Sequence, residues 1–202
     1  MLTVLQEFCR NTMQSGRNFD TPKQLVFERV TDASILSDFS CGIDSMDEFI
    51  HQELQDYIWM GSCQLFVIRD GEDIVAMYCL DQHNLCLSEI VKDKMKDGLK
   101  PSPQNAPDAD SPYWFKPFFE AIEITYLAVA TSRQRQHIGS FIIESIMSQV
   151  AHDPNIQSDF VTVRALKHDD YTAVPFYSSC GFFPPEKEID GRNLFMYRIV
   201  IR

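Results

Sequence analysis

The 202-residue chain carries 18 Lys and Arg against 29 Asp and Glu, a formal charge of −11, which disfavours a nucleic-acid backbone as partner and suits a cationic one such as an amine. Its length fits one domain with a sizeable core, and a hydrophobic fraction of 45% is that of an ordinary globular chain. Six scattered cysteines without a Cys-x-x-Cys pair point to reduced thiols in a cytoplasm. No basic-then-apolar leader opens the chain and no run approaches a spanning length, so neither a signal peptide nor a membrane partner is expected.

Residues 1–22 read as an N-terminal extension, since Leu2, Leu5, Phe8 and Cys9 fall at helical spacing before a breaker-rich stretch from Gly16 to Pro22. Such a segment packs on its own domain or on a neighbour, which leaves room for a homodimer. Residues 23–202 are expected to form one domain, beginning with a strand from Gln24 to Thr31. Phe39-Ser40-Cys41-Gly42-Ile43 then makes a turn, and Asp44 is expected to accept from the free N–H groups of a helix start. Met46, Phe49, Ile50, Leu54, Tyr57 and Ile58 share one face, predicting a single helix to about Trp59.

Cys63 to Arg69 and Asp73 to Cys86 read as strands joined through Asp70-Gly71, a strong hairpin signal. Residues 89–118 form a long loop punctuated by Pro101, Pro103, Pro107 and Pro112, and loops of that length are usually functional or disordered. Its aromatic end, Tyr113 to Phe119, caps the core or forms the lip of a cleft.

Glu120 to Ala130 is a strand, and Ile138 to Val150 a helix that His152-Asp153-Pro154 stops. The loop between them is rich in donors. Free N–H groups and the positive end of the dipole at a helix start stabilise an anion, and Arg133 and Arg135 make phosphate the leading candidate. Phe160 to Leu166 is a strand, Asp170 to Cys180 a short helix closed by Gly181, and a strand pair from Phe182-Phe183 onward and Asn193 to Ile201, with an Asp190-Gly191 turn between, follows. Hairpins early and crossover helices late predict an α/β fold on a mixed antiparallel and parallel sheet.

Leu127-Ala128-Val129 leading into Gln134-Arg135-Gln136-His137-Ile138-Gly139 resembles the GNAT N-acetyltransferase superfamily. The central helix of that superfamily opens on Gln or Arg, two residues, Gly, one residue, then Gly or Ala. Gln134 and Gly139 match the ends of the pattern, and His137 stands in the place of its first glycine. Ala173-Val174-Pro175-Phe176-Tyr177-Ser178-Ser179-Cys180-Gly181-Phe182 is similar to the superfamily's closing helix. Phe39-Ser40-Cys41-Gly42 resembles a Phe-x-Cys-Gly turn shared with acetyltransferase toxins of toxin–antitoxin modules. The likeness covers about Gln24 to Arg202.

The resemblance implies a GNAT-like fold, a central mixed sheet flanked by helices, and acetyl-CoA-dependent transfer of an acetyl group to a primary amine by direct attack on the thioester. Acetyl-CoA would be held through the main chain of Leu127, Ala128 and Val129. Arg133, Gln134, Arg135, Gln136, His137, Ile138, Gly139 and Ser140 would surround its pyrophosphate. Tyr177 falls in the place of the acid that protonates the departing thiolate, a role suited to a phenol that stays protonated at neutral pH. Glu123 falls in the place of the base, with an ordered water, or simple binding of the substrate cation, as alternatives; Glu120 is a differently facing competitor. The acceptor would be a small-molecule amine or a protein or peptide amine. No metal is implied, because the five histidines show no ligand spacing. A non-catalytic acyl-CoA-binding or regulatory module stays open, as does a tRNA-acetylating toxin, which the charge disfavours.

Overall fold

The computed structural model describes residues 25–86, 117–167, 171–184 and 193–200. The expected extension at 1–22, the loop at 89–118 up to its last two residues, and the Asp190-Gly191 turn lie outside the described residues. Six strands, β1 (Leu25–Val30), β2 (Gln64–Asp70), β3 (Asp73–Leu85), β4 (Phe119–Val129), β5 (Phe160–Leu166) and β6 (Asn193–Ile199), follow one another across a single sheet in chain order. The β1/β2, β2/β3 and β5/β6 pairs are antiparallel, and β4/β5 is parallel. The parallel step falls where the long helix α3 (Ile138–His152) provides the crossover that parallel strands require. The expected α/β architecture on a mixed sheet is therefore present.

The chain divides into two compact units, Met1–Asp81 with Thr125–Ser145, and Gln82–Ile124 with Ile146–Arg202. In the first unit the β2–β3 hairpin closes at the Asp70↔Asp73 pair, with Gly71 at φ 65 where a side chain would be strained. The predicted single helix is two, α1 (Asp44–Gln52) and α2 (Leu54–Trp59), interrupted at Glu53 with φ −115 and ψ −31. Packing explains the break. Eight residues of straight helix would carry Tyr57 about 12 Å along the axis from Phe49, yet their rings meet edge-on at 5.3 Å, and Phe49 stacks on Tyr126 at 4.1 Å. Leu36, Phe39, Ile50, Leu54, Leu65, Val67 and Met77 fill the core beneath.

In the second unit β4 pairs with β5 from Ala121↔Phe160 to Ile124↔Val163, and β5 pairs with β6 along its whole length. Phe119, Ala121, Phe160 and Tyr197 form one core cluster in it. The helix expected at 170–180 is shorter, α4 (Val174–Ser179), with Pro175 in its first turn, where a missing N–H costs nothing. Gly181 closes it at φ 79, and the Phe182 N–H returns to the Tyr177 carbonyl at 3.0 Å. Phe183 makes one isolated bridge to Tyr197 in place of the expected strand.

Candidate functional site

The end of β4 is fixed by its neighbours in the first unit. The Ala130 N–H donates to the Val75 carbonyl at 2.9 Å, and the Thr131 N–H and Oγ1 both reach the Ser40 carbonyl, at 3.0 and 3.1 Å. A single 3₁₀ turn, Thr131–Arg133, follows. Gln134 then extends its side chain backwards, donating from Nε2 to the Cys41 carbonyl at 2.7 Å and to the Val129 carbonyl at 3.1 Å. Arg135 and His137 take positive φ values of 60 and 62, and α3 starts at Ile138 with the Phe141 N–H bonded to the His137 carbonyl.

These two left-handed residues are the only non-glycine ones among the described residues. For side-chain-bearing residues that conformation is uncommon, though histidine tolerates it better than most. The place that the superfamily pattern gives to glycine is thus a place where this backbone adopts the glycine conformation. Left-handed residues in a short loop before a helix are the means of turning main-chain N–H groups toward an anion.

The Phe39-Ser40-Cys41-Gly42 turn is part of the same structure. Asp44 makes no capping hydrogen bond, and Ile43 stands at the N-cap of α1. Asp47, in the first turn of the helix, ties down the preceding turn and does not cap the helix start: its carboxylate accepts from Cys41 N–H at 2.8 Å, Gly42 N–H at 3.2 Å and Ser40 Oγ at 2.6 Å. Gly42 has φ +77, and a Cβ there would meet Thr131 Oγ1 at 3.3 Å. The two segments whose resemblance is read separately in the sequence are therefore bonded face to face.

The arginines differ. Arg133 gives Nη2 to the carboxylate of Asp70, which is 5% exposed, and its Nε is buried without a partner among the described residues. Arg135 is exposed on the loop, as are Gln134, Gln136 and His137. Gln136 Nε2 turns back to the Ser132 carbonyl at 3.3 Å. Ile138 is buried, and Gly139 and Ser140 are half-buried in the first turn of α3. The exposed guanidinium of Arg135 and the left-handed main chain are a donor set that fits a phosphate group.

Glu123 and Tyr177 belong to the second unit. Glu123 is 8% exposed, and its Oε1 accepts from Arg164 Nε at 3.0 Å. Glu120 is exposed, its main chain bonded to Asp159. Tyr177 sits between the Phe176 and Phe182 rings, at 5.0 and 5.6 Å. Burial, with smaller contributions from Tyr171 and Cys180, pushes its phenol well above the ordinary tyrosine value, so it is protonated at every physiological pH. One residue that sequence reading passed over is His83, whose Nε2 lies 3.1 Å from the fully buried Thr162 Oγ1. Its signal is the inward phase of β3, where Asp81, His83 and Leu85 alternate with exposed Gln82 and Asn84. Among the described residues no group of three or more His, Cys, Asp or Glu could hold a metal ion, and no helix is long and apolar enough to cross a membrane.

No protein-family model matches the chain, and no curated protein does. Solved structures do match. At 13–19% identity, AtaT, KacT and a bacterial toxin share its fold, a mixed sheet with flanking helices. The mutant toxin AtaT bound to the C-terminus of the antitoxin AtaR and acetyl-CoA is 17% identical over 86% of this chain and 92% of that one, with a TM-score of 0.60. AtaT complexed with acetyl-methionyl-tRNAfMet is 19% identical over 85% and 93%, TM-score 0.59, and a mutant of KacT is 18% identical over 86% and 94%, TM-score 0.59. A KacTA–DNA complex also matches, at TM-score 0.56. Proteins with this fold are thus found in complexes containing tRNA or DNA, so the net charge of −11 is not enough to set aside a nucleic-acid partner.

Proposed function

We propose that the chain is an acetyl-CoA-dependent N-acetyltransferase that moves an acetyl group to a primary amine. The observation that carries this reading is the left-handed loop at Arg135 and His137 between β4 and α3, tied down by Gln134. Bound acetyl-CoA supplies an activated thioester, and a mutant of AtaT, with which the chain shares its fold, has a solved structure that contains it. In this chain the N–H groups of residues 135–140 and the guanidinium of Arg135 bind the pyrophosphate. Leu127 and Val129 lie beyond Ile124, the last β4 residue paired with β5, where an extended pantetheine arm joins the strand through main-chain hydrogen bonds.

Tyr177 serves as the acid, its phenol kept protonated by burial. Glu123 serves the amine, as its base directly or through water, or as the carboxylate that holds the cation. The acceptor is a small-molecule amine or a protein or peptide amine. A second reading, the α-amine of an aminoacyl-tRNA, draws on the fold shared with AtaT in its acetyl-methionyl-tRNAfMet complex and on the Phe39–Gly42 turn.

Calorimetry with acetyl-CoA and a thioester-consumption assay against polyamines, peptide N-termini and aminoacyl-tRNA test the proposal together. Binding with transfer to one acceptor class supports it. Binding without transfer to any of them makes the chain a non-catalytic acyl-CoA module, and absence of binding removes both readings.

A further inference from the structure

Strands β3, β4 and β5 are neighbours in that order, and His83 of β3 is bonded to Thr162 of β5. The imidazole therefore crosses the strand between them. Thr162 has Glu123 of β4 as its Cα partner, one strand spacing of about 4.8 Å away, so His83 and Glu123 meet at the same threonine. Two residues earlier on that face of β4 stands Ala121, whose side chain stops at Cβ and leaves the ring a path. All of these residues belong to the second unit.

Packing alone does not call for this row. One core cluster of the unit is Phe119, Ala121, Phe160 and Tyr197, yet next to these residues on β4 and β5 Glu123 is 8% exposed and Thr162 wholly buried. A buried carboxylate and hydroxyl cost free energy that apolar residues would not. Arg164 answers the charge of Glu123, and His83 answers the hydroxyl of Thr162. The second ring nitrogen of His83, Nδ1, has no hydrogen bond to any described residue. Among the described residues, the charged and titratable groups that register and bonding place beside Thr162 are Glu123 on β4, its ion-pair partner Arg164 on β5 and Tyr197 on β6, while Asp81 stands two residues before His83 on its own strand.

From this we infer that His83 accepts the proton of the acceptor amine, that Thr162 is the positioning residue that fixes its ring, and that Glu123, paired with Arg164, holds the ammonium. The inference rests on the acetyltransferase reading and deepens it. One N–H bond of the ammonium breaks, and its proton passes to Nδ1. The freed lone pair forms the C–N bond as the C–S bond breaks, and the thiolate takes the proton of Tyr177. The second nitrogen proton returns to the Tyr177 phenolate through solvent, and His83 releases its proton to water. The net products are the amide, the free thiol and one proton. Imidazole is the side chain best suited to such exchange near neutral pH.

The test is the rate of thioester consumption as a function of pH, with the acceptor that the unaltered protein uses, for that protein and for His83→Gln, Thr162→Val and Glu123→Gln. Far-UV circular dichroism checks that each variant is folded. The expected result for His83→Gln is a kcat lower by about 10²-fold with acetyl-CoA binding unchanged and the acidic limb of the profile gone. Added imidazole restores part of the rate in a His83→Gly variant, which keeps the role testable if the glutamine variant misfolds. Thr162→Val moves the acidic limb, and Glu123→Gln raises the KM for the amine more than it lowers kcat. Retention of both rate and acidic limb in His83→Gln overturns the inference, as does loss of that limb in Glu123→Gln alone. If the unaltered protein acetylates no amine, the acetyltransferase reading fails and takes the role of His83 with it, an outcome that the unaltered protein alone reveals.

Discussion

Gln134 Nε2 donates to the carbonyl of Cys41 at 2.7 Å, joining residues 93 positions apart. The same nitrogen reaches the Val129 carbonyl at 3.1 Å, so one amide ties the anion loop both to the Phe39–Gly42 turn and to the end of β4. Gln134→Ala leaves two carbonyls without this donor and costs about 1–2 kcal/mol. Thermal melting should show a fall of roughly 2–8 °C for a chain of this size. Calorimetry should show acetyl-CoA binding weakened several-fold. A variant with unchanged melting temperature and unchanged affinity would remove Gln134 from the loop's support.

His137 is held at φ 62, a conformation costing a side-chain-bearing residue about 1–2 kcal/mol. Replacing it by glycine relieves that strain, partly offset by the greater freedom of glycine in the unfolded chain. The expected gain is about 1 kcal/mol in denaturant unfolding, whereas His137→Val, β-branched, loses stability. Acetyl-CoA affinity in the glycine variant discriminates further: tighter binding marks the imidazole as an obstruction, weaker binding as a ligand.

Asp47 predicts an acid dependence. Burial acts to raise its pKa, but the hydrogen bonds from Ser40, Cys41 and Gly42 outweigh it and hold the carboxylate below the ordinary 3.8. A depressed folded value means stability that is fully present above 3.8 and is lost as pH falls through the lower, folded value. Asp47→Asn should therefore be less stable than the unaltered protein at neutral pH, with the gap closing only below about pH 4. A gap that stays constant into strong acid would show that the carboxylate charge plays no part.

Tyr177→Phe removes a single hydroxyl while keeping the ring between Phe176 and Phe182. Folding and acetyl-CoA binding should persist while kcat falls by about 10²-fold or more. Because burial keeps the phenol protonated, the unaltered enzyme should show no loss of activity from its titration below pH 10. An unchanged kcat in the phenylalanine variant would leave the ring as packing only.

Much of the fold was legible because its signals are local. Alternation placed β5 at Phe160–Leu166, and the Asp70-Gly71 step placed the first hairpin. The start of α3 at Ile138 follows from apolar periodicity resuming after a polar loop. The break at Glu53 was not legible, because the apolar positions of α1 and α2 keep one helical phase while the Phe49–Tyr57–Tyr126 ring cluster bends the backbone. Asp44 looked like the cap, but it makes no capping bond and Asp47 is the acceptor for the turn, because the turn folds back over the helix start instead of leading straight into it.

The loop at 133–140 divides the same way. Its sequence determined that a strand feeds a helix through a donor-rich connection, and that a histidine stands in the place of the pattern's first glycine; the left-handed backbone there is a finding of the structure. Tertiary structure alone decided that Arg133 turns inward to Asp70, that Gln134 spends its amide on Cys41 and Val129, and that Arg135 is left facing solvent. The physical reason is range. Propensity and periodicity act over a few residues, whereas the partner of a buried charge or donor is set by whichever strand the sheet brings alongside, 63 positions away for Arg133 and 79 for His83.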